Sequence, residues 1–206
     1  YLWNRIDYER VLKKSKEKPD VVLAGKYNIV FIGRLVDDKA VHLLVEAHLK
    51  LVEEKFNIKT YIVGDGPNYK QIEEMIGKNN LQDSLKMLGL KTNPYNILSQ
   101  ADLLVLPSRN EGFPTVLIES LVLGIPFVTT NVCGASDIHN YIAPKGSSIL
   151  VEKNVDSIKS GIIEAYNGKI KRGYKFNAEN FNKEIDKKFI KLINEDWGDN
   201  MNEPLV

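Results

Sequence analysis

The feature that most constrains this chain is an alternation of short apolar runs with longer amphipathic stretches. The runs at 28–32 (NIVFI), 60–63 (TYIV), 85–88 (LKML), 102–106 (DLLVL), 126–129 (PFVT) and 148–151 (SILV) read as strands. Several are apolar on both faces, the pattern of parallel strands covered by helices above and below. Between them, 39–55, 68–79, 94–100, 114–123, 136–141 and 154–167 read as helices. In the first of these, Leu43, Leu44, Ala47, Leu51 and Val52 recur at helical spacing, with Glu46, Lys50 and Glu53 between them. The alternation predicts an α/β fold: a Rossmann-like parallel sheet of about six strands with helices on both faces. Ligands in such sheets sit at the carboxyl ends of the strands.

Charge and composition narrow the function. With 28 Lys and Arg against 27 Asp and Glu, the net charge of +1 argues against nucleic acid as a partner, because phosphate-backbone binding needs an excess of cations. The single cysteine, Cys133, excludes an internal disulfide framework and slightly favours a reducing compartment. No apolar run approaches the ~18 residues of a membrane span, and no signal peptide pattern opens the chain. A cytoplasmic place, at or near the inner face of the membrane, is the expectation. Residues 1–20 are polar and helix-prone, with Leu2, Trp3 and Ile6 as apolar anchors before Val11, and 177–197 reads as a further amphipathic helix ahead of a frayed tail at 198–206.

The strand ends carry the chemistry. The first leads into Gly33-Arg34-Leu35, with Lys39 five residues after Arg34. Each cation alone reads as a solvated surface group; at a strand's carboxyl end the pair can grip a diphosphate, Arg as a planar fork and Lys as a point charge. Neither a G-x-G-x-x-G after a strand nor a G-x-x-x-x-G-K-[ST] occurs, which disfavours nicotinamide oxidoreductases and P-loop NTPases. The second strand ends in Gly64-Asp65-Gly66-Pro67, either a tight turn or a turn that also brings backbone close to a ligand.

The fourth strand leads through Pro107-Ser108-Arg109-Asn110-Glu111-Gly112-Phe113-Pro114-Thr115 into a helix that ends near Gly124. Pro114 fits the first helical position and Gly124 the position just past the helix end. Gly112 permits close approach, and the free N–H groups at the helix start suit an anion. Glu111 precedes that start and Glu119 follows it, so a phosphate there would lie between two carboxylates, whose natural partners are hydroxyls on either side. A sugar–diphosphate–ribose ligand has that order of groups. Beyond the fifth strand, Ser136 reads first as a helix cap and second as a ligand contact. His42, His48 and His139 lack metal-ligand spacing, and Cys133 reads as an inert small residue rather than a nucleophile.

Gly33-Arg34-Leu35 with Lys39, Gly64-Asp65-Gly66-Pro67, Ala101-Asp102, Glu111-Gly112-Phe113-Pro114 with Glu119, and Gly124-x-Pro126, in that order between 28 and 167, resemble the carboxyl-terminal half of glycosyltransferase family 4, retaining enzymes of GT-B architecture. The resemblance implies that Arg34 and Lys39 bind the donor's diphosphate, together with backbone N–H groups from Gly112 to Thr115, through Phe113 and Pro114. It implies that Glu111 contacts hydroxyls of the transferred sugar, that Glu119 contacts the ribose, and that Leu90 and Lys91 face the base, with Gly33 and Gly64 lining the donor site. Arg34, Lys39 and Glu111 are the expected catalytic residues, with no metal and no cofactor. The donor is a nucleoside-diphosphate sugar, with uridine diphosphate the expected nucleotide, and the acceptor a glycan or a lipid-linked glycan.

Where the family usually has Gly after the lysine, Ala40 stands, a change a helix tolerates well. The family's Gly-Gly-x-x-Glu appears as Cys133-Gly134-Ala135-Ser136-Asp137. The expected organisation is a connector at 1–20 from a missing N-terminal acceptor domain, a nucleotide-sugar-binding domain at 21–168, and a terminal helix and tail at 169–206. Residues 169–191 hold eight Lys and Arg against three acids, either a solvated face or a set of charges suited to peripheral contact with an anionic membrane. The competing readings are a nucleotide-binding module without activity of its own, another GT-B enzyme such as a nucleotide-sugar epimerase, and a flavodoxin-like signalling domain. The last would need acids where Gly33-Arg34 stands.

Overall fold

A computed structural model describes residues 3–198. Leu2 and, from residue 199 on, the tail expected to fray lie outside the described residues. Six parallel strands, β1 (Asn28–Ile32), β2 (Lys59–Val63), β3 (Leu85–Gly89), β4 (Leu103–Leu106), β5 (Phe127–Thr130) and β6 (Ser148–Val151), form one sheet in the order β3-β2-β1-β4-β5-β6. The central strands β1, β4 and β5 are buried almost throughout, which is why their sequences are apolar on both faces.

The helices are α1 (Tyr8–Ser15), α2 (Val41–Glu53), α3 (Tyr69–Lys78), α4 (Tyr95–Leu98), α5 (Thr115–Val122), α6 (Cys133–Asp137), α7 (Val155–Tyr166) and α8 (Ala178–Gly198). Helix α2 packs against α3 and α7, and α1 against α4 and α5, two layers with the sheet between them. This is the Rossmann-like α/β arrangement expected from the alternation. Strand order reverses between β1 and β4, and ligands of such sheets bind beyond the carboxyl ends at that position.

Three local expectations are corrected. The helix read from residue 39 begins later: Asp37–Lys39 is a separate 3₁₀ turn, and α2 starts at Val41. Ala40 joins the two in the left-handed region at φ 44° and ψ 39°, so it is not a helix-interior residue at all. Glycine is the residue that conformation favours. Pro114 is the residue before α5 rather than its first, while Gly124, at φ 67°, does end it. Ile125 N–H bonds Ser120 O at 2.9 Å and Gly124 N–H bonds Leu121 O at 3.1 Å, a Schellman closure. Ser136 does not cap its helix, because α6 starts at Cys133 after extended Val132, and the Ser136 hydroxyl donates back to Cys133 O at 2.8 Å.

The segment ahead of α1 is tied to α8. Buried Asn182 accepts from Ile6 N–H at 3.0 Å and donates to Ile6 O at 2.8 Å. Trp3 stacks on Phe181, Lys188 sits 4.0 Å above the Trp3 ring, and Arg5 pairs with Asp186. In the basic stretch, Lys169, Arg172, Lys183 and Lys187 also have acidic partners. No helix among the described residues is long and apolar enough to cross a membrane.

Candidate functional site

The loops leaving β1 and β4 meet at this reversal. Arg109 N–H donates to Asp38 O at 2.7 Å, joining the 3₁₀ turn to the loop that carries Glu111. Lys39 Nζ then lies 2.5 Å from Glu111 Oε1. The Glu111 side chain is only 7% exposed, and Lys39 supplies its charge partner. A second donor reaches the same oxygen: the hydroxyl of fully buried Ser108, at 2.6 Å. Ser108 is itself fixed, since the Thr130 hydroxyl at the end of β5 donates to Ser108 O at 2.5 Å. Glu111 Oε2 has no hydrogen-bond partner among the described residues, so the carboxylate is held by one oxygen and offers the other.

Arg109 also reaches His42 on α2, with its guanidinium 3.2 Å from Nε2. Burial, and then the Arg109 charge, hold the His42 ring below its ordinary pKa, so it stays neutral and can accept. Arg34 is exposed beside this cluster in sequence and makes no ion pair among the described residues. Gly112 is exposed, and a side chain there would meet nothing within 4 Å, so the space above the loop is open. Phe113 is half-buried against the core, Pro114 is buried, and Thr115 opens α5 exposed. Helix α6 braces the loop from behind: Gly134 N–H bonds Glu111 O at 3.2 Å, and a Cβ on Gly134 would stand 1.9 Å from Gly112 O.

Glu119 lies one turn into α5 and belongs to a second cluster. The Tyr95 hydroxyl, from the start of α4, donates to Glu119 Oε1 at 3.3 Å. Burial raises the Glu119 carboxyl above the usual range, with the Tyr95 hydrogen bond and the Arg10 charge on α1 opposing it. Gly33 and Gly64 lie side by side at the ends of β1 and β2, where a Cβ on Gly64, at φ 144°, would stand 1.8 Å from Gly33 O. The demand for glycine at 64 therefore comes from the adjoining strand end. Leu90 is exposed at the end of β3, and Lys91 pairs with Asp20 at 2.6 Å.

The structure thus joins Lys39 to Glu111 directly, strings Gly112, Phe113, Pro114 and Thr115 from Glu111 to the head of α5, and links Glu119 to the base of α4. It leaves Arg34 and Leu90 exposed without polar partners among the described residues. Ser108, Arg109, Thr130 and Tyr95 were not singled out in the sequence. Ser108 has a faint signal in its Ser-x-x-Glu spacing to Glu111; nothing along the chain links Tyr95 to Glu119. Among the described residues no three His, Cys, Asp or Glu side chains gather as a metal-holding group.

The family model described as "Glycosyl transferases group 1" matches residues 13–185. An uncharacterized glycosyltransferase of Methanocaldococcus jannaschii is 35% identical over 198 residues, covering 92% of this chain and 53% of that protein. The N-acetylgalactosamine-N,N'-diacetylbacillosaminyl-diphospho-undecaprenol 4-alpha-N-acetylgalactosaminyltransferase of Campylobacter jejuni is 31% identical, covering 90% of this chain and 49% of that protein. The chain therefore spans about half the length of these curated relatives. Among solved structures, Anabaena HepE in complex with UDP superposes with a TM-score of 0.71 at 19% identity, covering 92% of this chain and 57% of that one, a likeness of fold.

Proposed function

Because the chain belongs to the glycosyl transferases group 1 family, we propose that it is the donor-binding half of a retaining, family 4 GT-B glycosyltransferase. The observation that carries this reading is the Lys39–Glu111 pair, held across the strand-order reversal where α/β sheets bind ligands. Its donor is a nucleoside-diphosphate sugar, with uridine diphosphate first in line, as in the UDP complex of the similarly folded Anabaena protein. Its acceptor is a glycan or a lipid-linked glycan; the Campylobacter relative, by its name, acts on a diphospho-undecaprenol-linked sugar.

In this reading the bond between the anomeric carbon and the diphosphate stretches through an oxocarbenium-like transition state, and negative charge gathers on the leaving group. Arg34, Lys39 and the first-turn N–H groups of α5 stabilise that charge as preorganised donors, so no metal is required for it. Glu111, pinned through Oε1, presents Oε2 to a sugar hydroxyl. Glu119 takes the ribose, and Leu90 and Lys91 border the base. The acceptor is held by a preceding domain of the same polypeptide, with residues 1–20 as its connector.

The length relation to the relatives favours one companion reading: this chain alone binds donor without transferring sugar. A melting screen of the chain against UDP, GDP and ADP tests the proposal. UDP should raise the melting temperature most, and no shift with any of the three would sink it. Mixing in the acceptor-binding half, followed by an assay of sugar transfer, separates the enzyme from the module.

A further inference from the structure

Tyr95 occupies a place that the residue roles given above leave out. It is the first residue of α4, four residues after Lys91, and its backbone is fixed: its N–H donates to Asn93 Oδ1 at 3.1 Å. Asn93 is in turn clasped by α1 and the residues after it, through Lys14 O and Glu17 Oε2, both at 2.9 Å. The ring packs partly against the core, and only the hydroxyl reaches Glu119. For packing alone phenylalanine would serve as well; the hydroxyl adds one directed donor to a half-buried carboxylate. Glu119 Oε2 has no hydrogen-bond partner among the described residues.

We propose that Tyr95 is a positioning residue that pins Glu119 by Oε1, keeps Oε2 turned to the ribose diol, and so lets the site prefer ribonucleotides over deoxyribonucleotides. The inference rests on the reading of Glu119 as the ribose-contacting group. A carboxylate with one oxygen tethered loses less freedom when a hydroxyl donates to the other, which is the advantage of preorganisation. At 3.3 Å the tether is long for an O–H···O bond; ordering by a ligand hydroxyl on the same carboxylate shortens such contacts. Burial keeps the Tyr95 hydroxyl protonated, and the Glu119 charge adds to that effect, so it remains a donor over the working pH range. The charged and titratable groups facing the pair are Arg10 and Asp7, from α1 and the residue before it.

The test is calorimetric titration of the full-length protein with UDP and 2′-deoxy-UDP, in wild type, Tyr95→Phe, Glu119→Gln and the double variant. Wild type should prefer UDP by about tenfold, and Tyr95→Phe should shrink that preference to about threefold or less, with 2′-deoxy-UDP affinity nearly unchanged. The double variant should be no worse than Glu119→Gln alone. Loss of the tether should also move the acid limb of UDP affinity to higher pH, because a hydrogen bond to the charged carboxylate has been removed. Equal weakening toward both nucleotides, or an intact preference, would reduce Tyr95 to a packing residue and overturn the proposal. Full ribose preference in Glu119→Gln would instead overturn the role of Glu119, and no binding by wild type would overturn both.

Discussion

Lys39 Nζ and Glu111 Oε1 stand 2.5 Å apart although 72 positions separate them in sequence. The cation proposed for a diphosphate and the acid proposed for a sugar are thereby bonded to each other, and each fixes the other's side chain.

Lys39→Ala should lower turnover of the full-length enzyme about 100- to 1,000-fold, the usual effect of removing one preorganised donor to developing charge. It should also cost about 1–3 kcal/mol of stability, because buried Glu111 loses its counter-charge. Lys39→Ala with Glu111→Gln should recover most of that stability and none of the turnover. Steady-state kinetics beside urea denaturation checks both, and unchanged kinetics in Lys39→Ala would remove the phosphate role.

Ala40 gives a prediction of near-cancellation. Its left-handed backbone at φ 44° costs an alanine about 1–2 kcal/mol, which glycine would not incur. Against that, Ala40→Gly loses a fully buried methyl, about 0.8 kcal/mol, and frees the unfolded chain by about 0.5–1 kcal/mol. The net change in denaturation free energy should be within about 1 kcal/mol of zero. A loss of 2 kcal/mol or more would mean that the methyl is needed for packing beyond its area.

Gly134 and Gly112 should respond oppositely to alanine. At Gly134 the new Cβ would sit 1.9 Å from Gly112 O, so either α6 or the Glu111 loop must move. Gly134→Ala is expected to lose at least about 2 kcal/mol of stability, together with most activity. Gly112→Ala meets no atom within 4 Å and should change stability by about 0.5 kcal/mol or less. Thermal melting of the two variants side by side decides this.

His48 predicts a pH dependence remote from the site. Fully buried on α2, its ring is bonded to Thr60 at 2.9 Å and to Ser84 at 2.8 Å, and burial pushes its pKa from 6.5 down to about 4. The native ring stays neutral where the unfolded one already binds a proton. Its contribution is therefore complete above about pH 6.5 and is lost as pH falls toward 4, about 3 kcal/mol in all. Urea denaturation at pH 7 and pH 5 should show about 2 kcal/mol more acid loss in wild type than in His48→Gln. Equal acid sensitivity in the two proteins would contradict it.

Strands were the most legible elements, because burial on both faces writes itself as an apolar run: β1 starts and ends where NIVFI does, and even the half-buried edge strand β6 keeps the bounds of SILV. Helix starts were less so. The α6 start is set by the fit of Gly134 under Gly112, a contact between remote loops, and not by the nearby serine that looked like a cap. The same limit explains the site. Gly-Arg-Leu, Lys39 and the two glutamates could be found one by one, since each lies in a loop leaving a strand or in the helix that follows it. That Lys39 would touch Glu111 follows from β1 lying beside β4, and linear order does not contain that adjacency. The Tyr95 hydroxyl on Glu119 depends likewise on how α4 and α5 share a layer.

Asn182 answers the N–H and the C=O of Ile6 as a strand partner would, with a side-chain amide on a helix. Mechanically, that makes α8 the anchor for the leading segment. Tension applied ahead of Trp3 would pass first into the terminal helix rather than into β1. The strands whose exit loops carry Lys39 and Glu111 would then stay in register while residues 3–6 and α8 shift together, like a hinge leaf turning on a fixed frame.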